Sequence, residues 1–147
     1  MNRCVMCESS NIKESTARYA VHVGERAIST RLPAVQCGDC GESIVEGSAM
    51  ETFEREVARL VATSGNIDGP TFKYLRKFLG LRAKELATKL GVTPETVSRW
   101  ENGERDVDRL AWFALAMLVL DGPHATGVLE ASLHPTTLPS TLPAKVA

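Results

Sequence analysis

The sequence predicts an α+β protein: a small β-hairpin and helix unit stapled by cysteines over residues 1–64, then an all-α unit over residues 71–122. Three observations carry this. All four cysteines fall in two C-x-x-C pairs, Cys4-Val5-Met6-Cys7 and Cys37-Gly38-Asp39-Cys40, within the first 40 residues. The residues between the pairs lack long helical periodicity and read as two strands. Beyond residue 70 the apolar spacing becomes helical, with capped short helices separated by glycine turns.

Taken in order, Ile12 to Val23 and Ala27 to Val35 are the two strands, with Gly24-Glu25 at the turn between them. His22 lies in the first strand and reads as a surface residue. Ser48-Ala49-Met50-Glu51 has the capping-box pattern, so a helix is expected from Ser48 to about Ala62. Met50, Phe53, Val57, Leu60 and Val61 form its apolar stripe. Thr63 to Pro70 is rich in turn formers, which places a linker at residues 65–70. Four helices follow: Thr71 to Leu79, Leu81 to Leu90, Pro94 to Glu101, and about Asp106 to Asp121, the last ending at Gly122-Pro123. Residues 123–147 are weakly patterned and Pro- and Thr-rich, as in a disordered or extended tail. His124 and His134 suggest no function.

The composition is that of an ordinary globular chain. It has 147 residues, 44% hydrophobic and 24% charged, with a formal net charge of −1. No apolar run is long enough to cross a membrane and no secretory h-region opens the chain, so a cytoplasmic protein is expected. The charge is uneven: residues 1–65 carry 7 Lys/Arg against 9 Asp/Glu, and residues 71–105 carry 8 against 4. No Ser/His/Asp set, phosphate loop or open metal site is visible, and the chain is not expected to be an enzyme.

Each C-x-x-C pair can put two thiolates on one metal ion, so Cys4, Cys7, Cys37 and Cys40 complete a tetrahedral set. One structural Zn²⁺ fits, because it accepts four thiolates without strong geometric demands. Four thiolates leave no open position for catalysis. No βαβ pattern surrounds either pair to suggest thioredoxin-like redox chemistry. Gly41 suits the turn after the second pair, whereas Glu8 stands at the equivalent place after the first.

Gly91 to Gly103 organises the second half. Thr93 is a good N-cap, Pro94 suits the first turn, and Asn102-Gly103 ends the helix. With the helix before it this makes a helix-turn-helix, whose second helix enters the major groove of double-stranded DNA. Arg99 is the leading base reader, since Arg pairs with guanine in a bidentate way. Glu95 and Thr96 face the same groove. Lys73, Arg82, Lys84, Thr93, Asn102 and Arg105 are candidates for phosphate contacts, and the basic excess lies over them. Val97 and Trp100 belong to the core. The last helix is apolar on every face from Leu110 to Leu120. Its complete burial calls for a homodimer interface at Trp112, Phe113, Ala116 and Leu120, or for cover by the chain's own tail. A dimer would read a palindromic operator.

Residues 71–121 resemble the Xre/Cro-like helix-turn-helix family through Leu75-Arg76, Leu81, Lys84-Glu85-Leu86-Ala87, Leu90-Gly91-Val92 and Thr96 to Gly103. With the two cysteine pairs, Leu32-Pro33-Ala34 and Cys40-Gly41-Glu42, residues 1–121 resemble the MqsA (YgiT-type zinc finger) antitoxins. That resemblance implies a zinc domain that neutralises a toxin and a dimeric helix-turn-helix that represses the operon's own promoter. It also implies an Arg76–Glu101 pair. Arg82-Ala83 stand where such proteins often have a Ser/Thr cap and Gln, and Glu95 stands where a base-reading Asn is found. The implied operator therefore differs from that of Asn-bearing relatives. The alternative is a stand-alone regulator whose zinc domain binds another ligand or protein.

Overall fold

The computed structural model describes residues 2–134, so the Pro/Thr-rich run from Pro135 lies outside the described residues. Three antiparallel strands in the order β1 (Ile12–Val23), β2 (Arg26–Cys37) and β3 (Ser43–Val45) form one sheet. Six helices follow: α1 (Gly47–Thr63), α2 (Gly69–Phe78), α3 (Ala83–Leu90), α4 (Pro94–Glu101), α5 (Arg109–Leu120) and α6 (Gly122–Leu133). The protein is α+β, as the cysteine spacing and the change of period imply.

The β1–β2 register runs from Ile12↔Cys37 to Val23↔Arg26. The two-residue turn puts Gly24 at φ +62°, a conformation that suits glycine at the first turn position. Period-two alternation sends Tyr19, Val21, Val23, Ile28 and Leu32 to one face and Thr16, Arg18, His22, Ser29 and Arg31 to the other. On the second face Arg31 donates to the Thr16 hydroxyl and carbonyl oxygens, both at 3.1 Å. On the first, Tyr19 meets Phe53 of α1 edge-on at 6.1 Å between ring centroids and donates to the Glu54 carboxylate.

Helix α1 begins one residue before the expected cap. Glu46 is the N-cap residue, with extended backbone and no side-chain cap bond, and the Ser48 hydroxyl donates to the Glu46 carboxylate at 2.9 Å. The Ser48 pattern fails because Glu46 sits directly after β3, where its N–H is taken by the Pro33 carbonyl at 3.2 Å. The buried face of α1 (Val57, Ala58, Val61, Ala62) joins Val23 and the cores of α2, α3, α4 and α5 in one hydrophobic cluster. The short segment placed as a linker therefore joins elements that share a core. Asp68 caps α2 by accepting from the Thr71 N–H at 2.9 Å, and the buried Thr71 hydroxyl donates to the Asn66 carbonyl at 2.7 Å. Gly69 lies so close to α4 that a Cβ there would be 2.5 Å from the Glu101 carbonyl oxygen.

Helix α5 is covered differently from the expectation. Trp112 and Ala116 are buried within the chain, along with Ala111, Leu115 and Leu118. The cover comes from α1 and α2 on one side and α6 on another. What stays open is a stripe with Leu110 at 78% exposure and Phe113 at 63%. Of the four residues expected at a dimer interface, Phe113 is exposed, Leu120 half-buried, and Trp112 and Ala116 internal. The tail is helical over Gly122–Leu133. Helix α5 ends at Leu120, just before Gly122-Pro123 as the sequence implies, and Pro123 then takes the second position of α6, where a missing N–H costs nothing.

Candidate metal centre and nucleic-acid interface

Two turns of the same design hold the four sulfurs. After Cys4 the chain closes with the Glu8 N–H on the Cys4 carbonyl at 2.9 Å, and the Cys4 N–H on the Ser9 carbonyl at 2.8 Å. After Cys37 the equivalent bonds are Gly41 to Cys37 at 3.0 Å and Cys37 to Glu42 at 2.9 Å. The residue after each pair takes positive φ, +76° at Gly41 and +59° at Glu8. Glu8 is the one non-glycine with positive φ among the described residues. Asp39 ties the two turns together by accepting from the Ser9 hydroxyl and, at 2.7 Å, from the Asn11 amide.

The sulfurs converge. All four lie within 4.8 Å of one another, and the Cys4–Cys40 and Cys7–Cys37 separations are both 3.6 Å. Four ligands at a zinc–sulfur distance of about 2.3 Å on a tetrahedron are about 3.8 Å apart, so the spacing fits one Zn²⁺. The Met6 N–H points at the Cys4 sulfur, 3.4 Å away. Backbone N–H groups of Cys40 and Asp39 draw the Cys37 thiol down to about 7, whereas at Cys7 the pull of the Ser9 backbone is outweighed by the Cys37 and Cys40 sulfurs, which push that thiol up to about 12. These are the four cysteines the spacing singled out.

The other end is a helix-turn-helix. The Gly91 C-cap at φ +68° turns the chain out of α3, and Thr93 caps α4 by accepting from the Thr96 N–H at 3.2 Å. Val97 and Trp100 face inward, with Trp100 edge-on to Phe72 at 5.6 Å. Glu95, Ser98, Arg99 and Asn102 are exposed. Arg76 locks α2 to α4: its Nη2 donates to Glu101 Oε2 at 3.0 Å, its Nε to Oε1, and its Nη1 to the Leu81 carbonyl at 2.8 Å. The missing cap at the start of α3 is replaced from inside the helix, where the Glu85 carboxylate accepts from the Arg82 N–H at 2.7 Å and pairs with the Arg82 guanidinium at 3.2 Å.

Residues 72–118 match the family model described as "Helix-turn-helix". This span is a DNA-binding helix-turn-helix of the Xre type, which makes transcription regulation the coarse function. No curated protein matches the chain. Among the described residues no helix is long and apolar enough to cross a membrane.

The sequence-selected DNA contacts divide by position. Glu95 and Arg99 share the open face of α4, with Asn102 one turn on. Thr96 is half-buried, and its hydroxyl lies 2.9 Å from that of Thr93; both line a groove of about 730 Å³ between α4 and α5 that also takes in Arg105. Lys84 and Arg82 are exposed at the start of α3. Lys73 stands apart. It lines a separate cavity with His22, Gly24, Pro70, Tyr74, Lys77 and Glu101, between the hairpin tip and α2. The cavity was not legible in the sequence, because β1 and α2 meet only through tertiary packing.

Proposed function

We propose that this protein is a dimeric, sequence-specific DNA-binding repressor that acts as the antitoxin of a toxin–antitoxin pair, with a zinc-stapled hairpin that engages the toxin. It binds rather than catalyses, since a four-thiolate zinc site has no open position for substrate. The observation that carries the DNA reading is the capped α4, which presents Arg99 and Glu95 outward while the buried Arg76–Glu101 pair fixes its orientation. The exposed Leu110 and Phe113 on α5 support pairing of two copies on a palindrome. The toxin rests on the resemblance of the cysteine unit to the MqsA antitoxins. The alternative is a stand-alone regulator whose zinc unit binds another ligand or protein, and the cavity at the hairpin tip favours it.

Gel-shift titration of the chain's own promoter fragment tests the DNA reading. Arg99→Ala is expected to remove about 1–3 kcal/mol of sequence discrimination while leaving the thermal transition in place. An unchanged operator affinity would overturn the assignment. Replacing Lys84 should instead weaken all sequences alike and flatten the salt dependence. Co-purification of the full chain with the product of an adjacent small reading frame, lost in a Cys37→Ser, Cys40→Ser variant that keeps operator binding, separates the antitoxin from the stand-alone regulator.

A further inference from the structure

The cavity at the hairpin tip belongs neither to the cysteine cluster nor to the reading face. Its volume is about 350 Å³, the size of a small-ligand site, and it lies where two structural units meet. Lys73 and Lys77 stand one turn apart on α2, a like-charge spacing that destabilises a helix unless something neutral or negative answers it. Among the described residues no carboxylate pairs with either lysine. The acid in the lining is Glu101, and both its oxygens are occupied by Arg76. The Tyr74 phenol is pushed up to about 12, chiefly by burial, so it keeps its O–H as a donor. His22 adds an imidazole from the outer face of β1. The walls therefore offer two ammonium groups, a phenol, an imidazole and no free anion.

The width of the cavity is set by contact. A Cβ at Gly24 would sit 2.7 Å from Pro70 Cβ, and Arg26 of the hairpin pairs with Asp68 at 2.7 Å just beyond. The cavity also meets α4 on the side away from Glu95 and Arg99, through Glu101. At 100° per residue, Glu101 lies roughly 120–160° around α4 from Glu95 and Arg99.

We infer that this cavity binds the phosphate group of a small phosphorylated molecule. The two ammonium groups supply charge-assisted hydrogen bonds to a dianion, and His22 and Tyr74 supply directional donors. Because the ligand would bridge β1 and α2, it would tighten the hairpin on the helix-turn-helix unit. The inference stands on the cavity and its charges, so its failure would leave the DNA reading untouched.

The test titrates the zinc-loaded full chain with inorganic phosphate and then pyrophosphate, at ionic strength held constant with chloride. Calorimetry gives the stoichiometry, and NMR follows the imidazole signals, with His22→Gln assigning the His22 resonance. One saturable site per chain is expected, with movement at His22 and none at His124. The exposed pair changed together, Lys73→Gln with Lys77→Gln, should weaken binding about tenfold or more. Failure to saturate, or equal affinity in the double variant, would overturn the site. Displacement of bound phosphate by duplex DNA of arbitrary sequence would assign the lysines to the DNA backbone and overturn the small-ligand reading.

Discussion

Cys4, Val23, Leu32, Ala34 and Cys37 are the buried apolar residues before α1, whereas α2 to α5 bury Phe72, Leu75, Leu86, Val97 and Leu115 with no exposed surface at all. Twelve-residue strands give the hairpin length without a core of its own: one face packs on α1 and the other meets solvent. What holds its far end is a set of four sulfurs and the polar ties around Asp39. The helical end is held by apolar contact and one buried ion pair. The comparison teaches that a metal-ligating cluster and an apolar core are alternative solutions to the same shortage: the cysteine end has the ligands for the first, and the helices supply the second.

Chelating the Zn²⁺ proposed for the four sulfurs is the strongest way to break that comparison. Apparent binding free energies of structural zinc in small domains are about 10–16 kcal/mol, so chelation should unfold the turns at Cys4–Glu8 and Cys37–Gly41 outright. Amide hydrogen exchange should show protection lost from both cysteine turns and the adjoining strand ends, while α2, α3, α4 and α5 keep theirs. Loss of protection across the whole chain at once would show that the two ends are one cooperative unit after all.

Two ion pairs of contrasting burial offer the next step down. Arg76 and Glu101 have side chains only 10% and 7% exposed, and truncating Arg76 to Ala leaves a buried carboxylate unpaired at a cost of about 3–5 kcal/mol. Arg26 and Asp68, which join the hairpin to the start of α2, are 56% and 37% exposed. Arg26→Ala should therefore cost no more than about 1 kcal/mol. Denaturant midpoints of the two variants measure the contrast. Similar losses would mean that the hairpin junction carries far more of the stability than its exposure implies.

The same division decides what was legible in the sequence. Local chemistry was readable: the cysteine pairs, the turn at Gly24-Glu25, the Thr93 cap and the inward Val97 and Trp100 all follow from spacing and residue type. The Arg76–Glu101 pair came from resemblance and was found where expected. Facts set by long-range contact were not readable. Trp112 and Ala116 were placed at a dimer surface because an isolated view of α5 has nothing to cover them, and the cover arrives from α1 and α6. Gly69 looked like a turn former, but its lack of a side chain is needed for the approach of α4. His22 and Lys73 lie 51 residues apart in sequence and meet only once the hairpin tip has docked on α2.

A smaller effect separates the two cysteine turns from each other. They share hydrogen bonding and differ in the residue that must be left-handed, Gly41 in one and Glu8 in the other. An L side chain in that region costs about 1–2 kcal/mol, part of which glycine gives back through its greater freedom in the unfolded chain. Glu8→Gly should thus stabilise the zinc unit by up to about 1 kcal/mol, seen as slower metal loss to a chelator. A faster loss would mean that the Glu8 side chain has a role its exposure conceals.

The finest distinction lies in Asp39, whose carboxyl is held below its ordinary value of 3.8 by hydrogen bonds first from Ser9 and then from Asn11. A carboxylate depressed in the folded state contributes stability that is complete above its unfolded value and lost as pH falls through its folded one. Asp39→Asn has nothing to titrate at that position, while both proteins share the same thiolates and the same acid release of metal. The stability difference between wild type and variant should accordingly be level from neutral pH down to about pH 5 and shrink below that. At the helical end two carboxyls are lowered in the same window: Glu85, by the Arg82 N–H and then the Arg82 side chain, and Asp68, where burial is outweighed by hydrogen bonds from Thr71 and Arg26. A second variant, Glu85→Gln, therefore separates the two ends: if the acid-sensitive difference follows Glu85 rather than Asp39, the bridge between the cysteine turns is ornamental, and the sulfurs alone hold that end together.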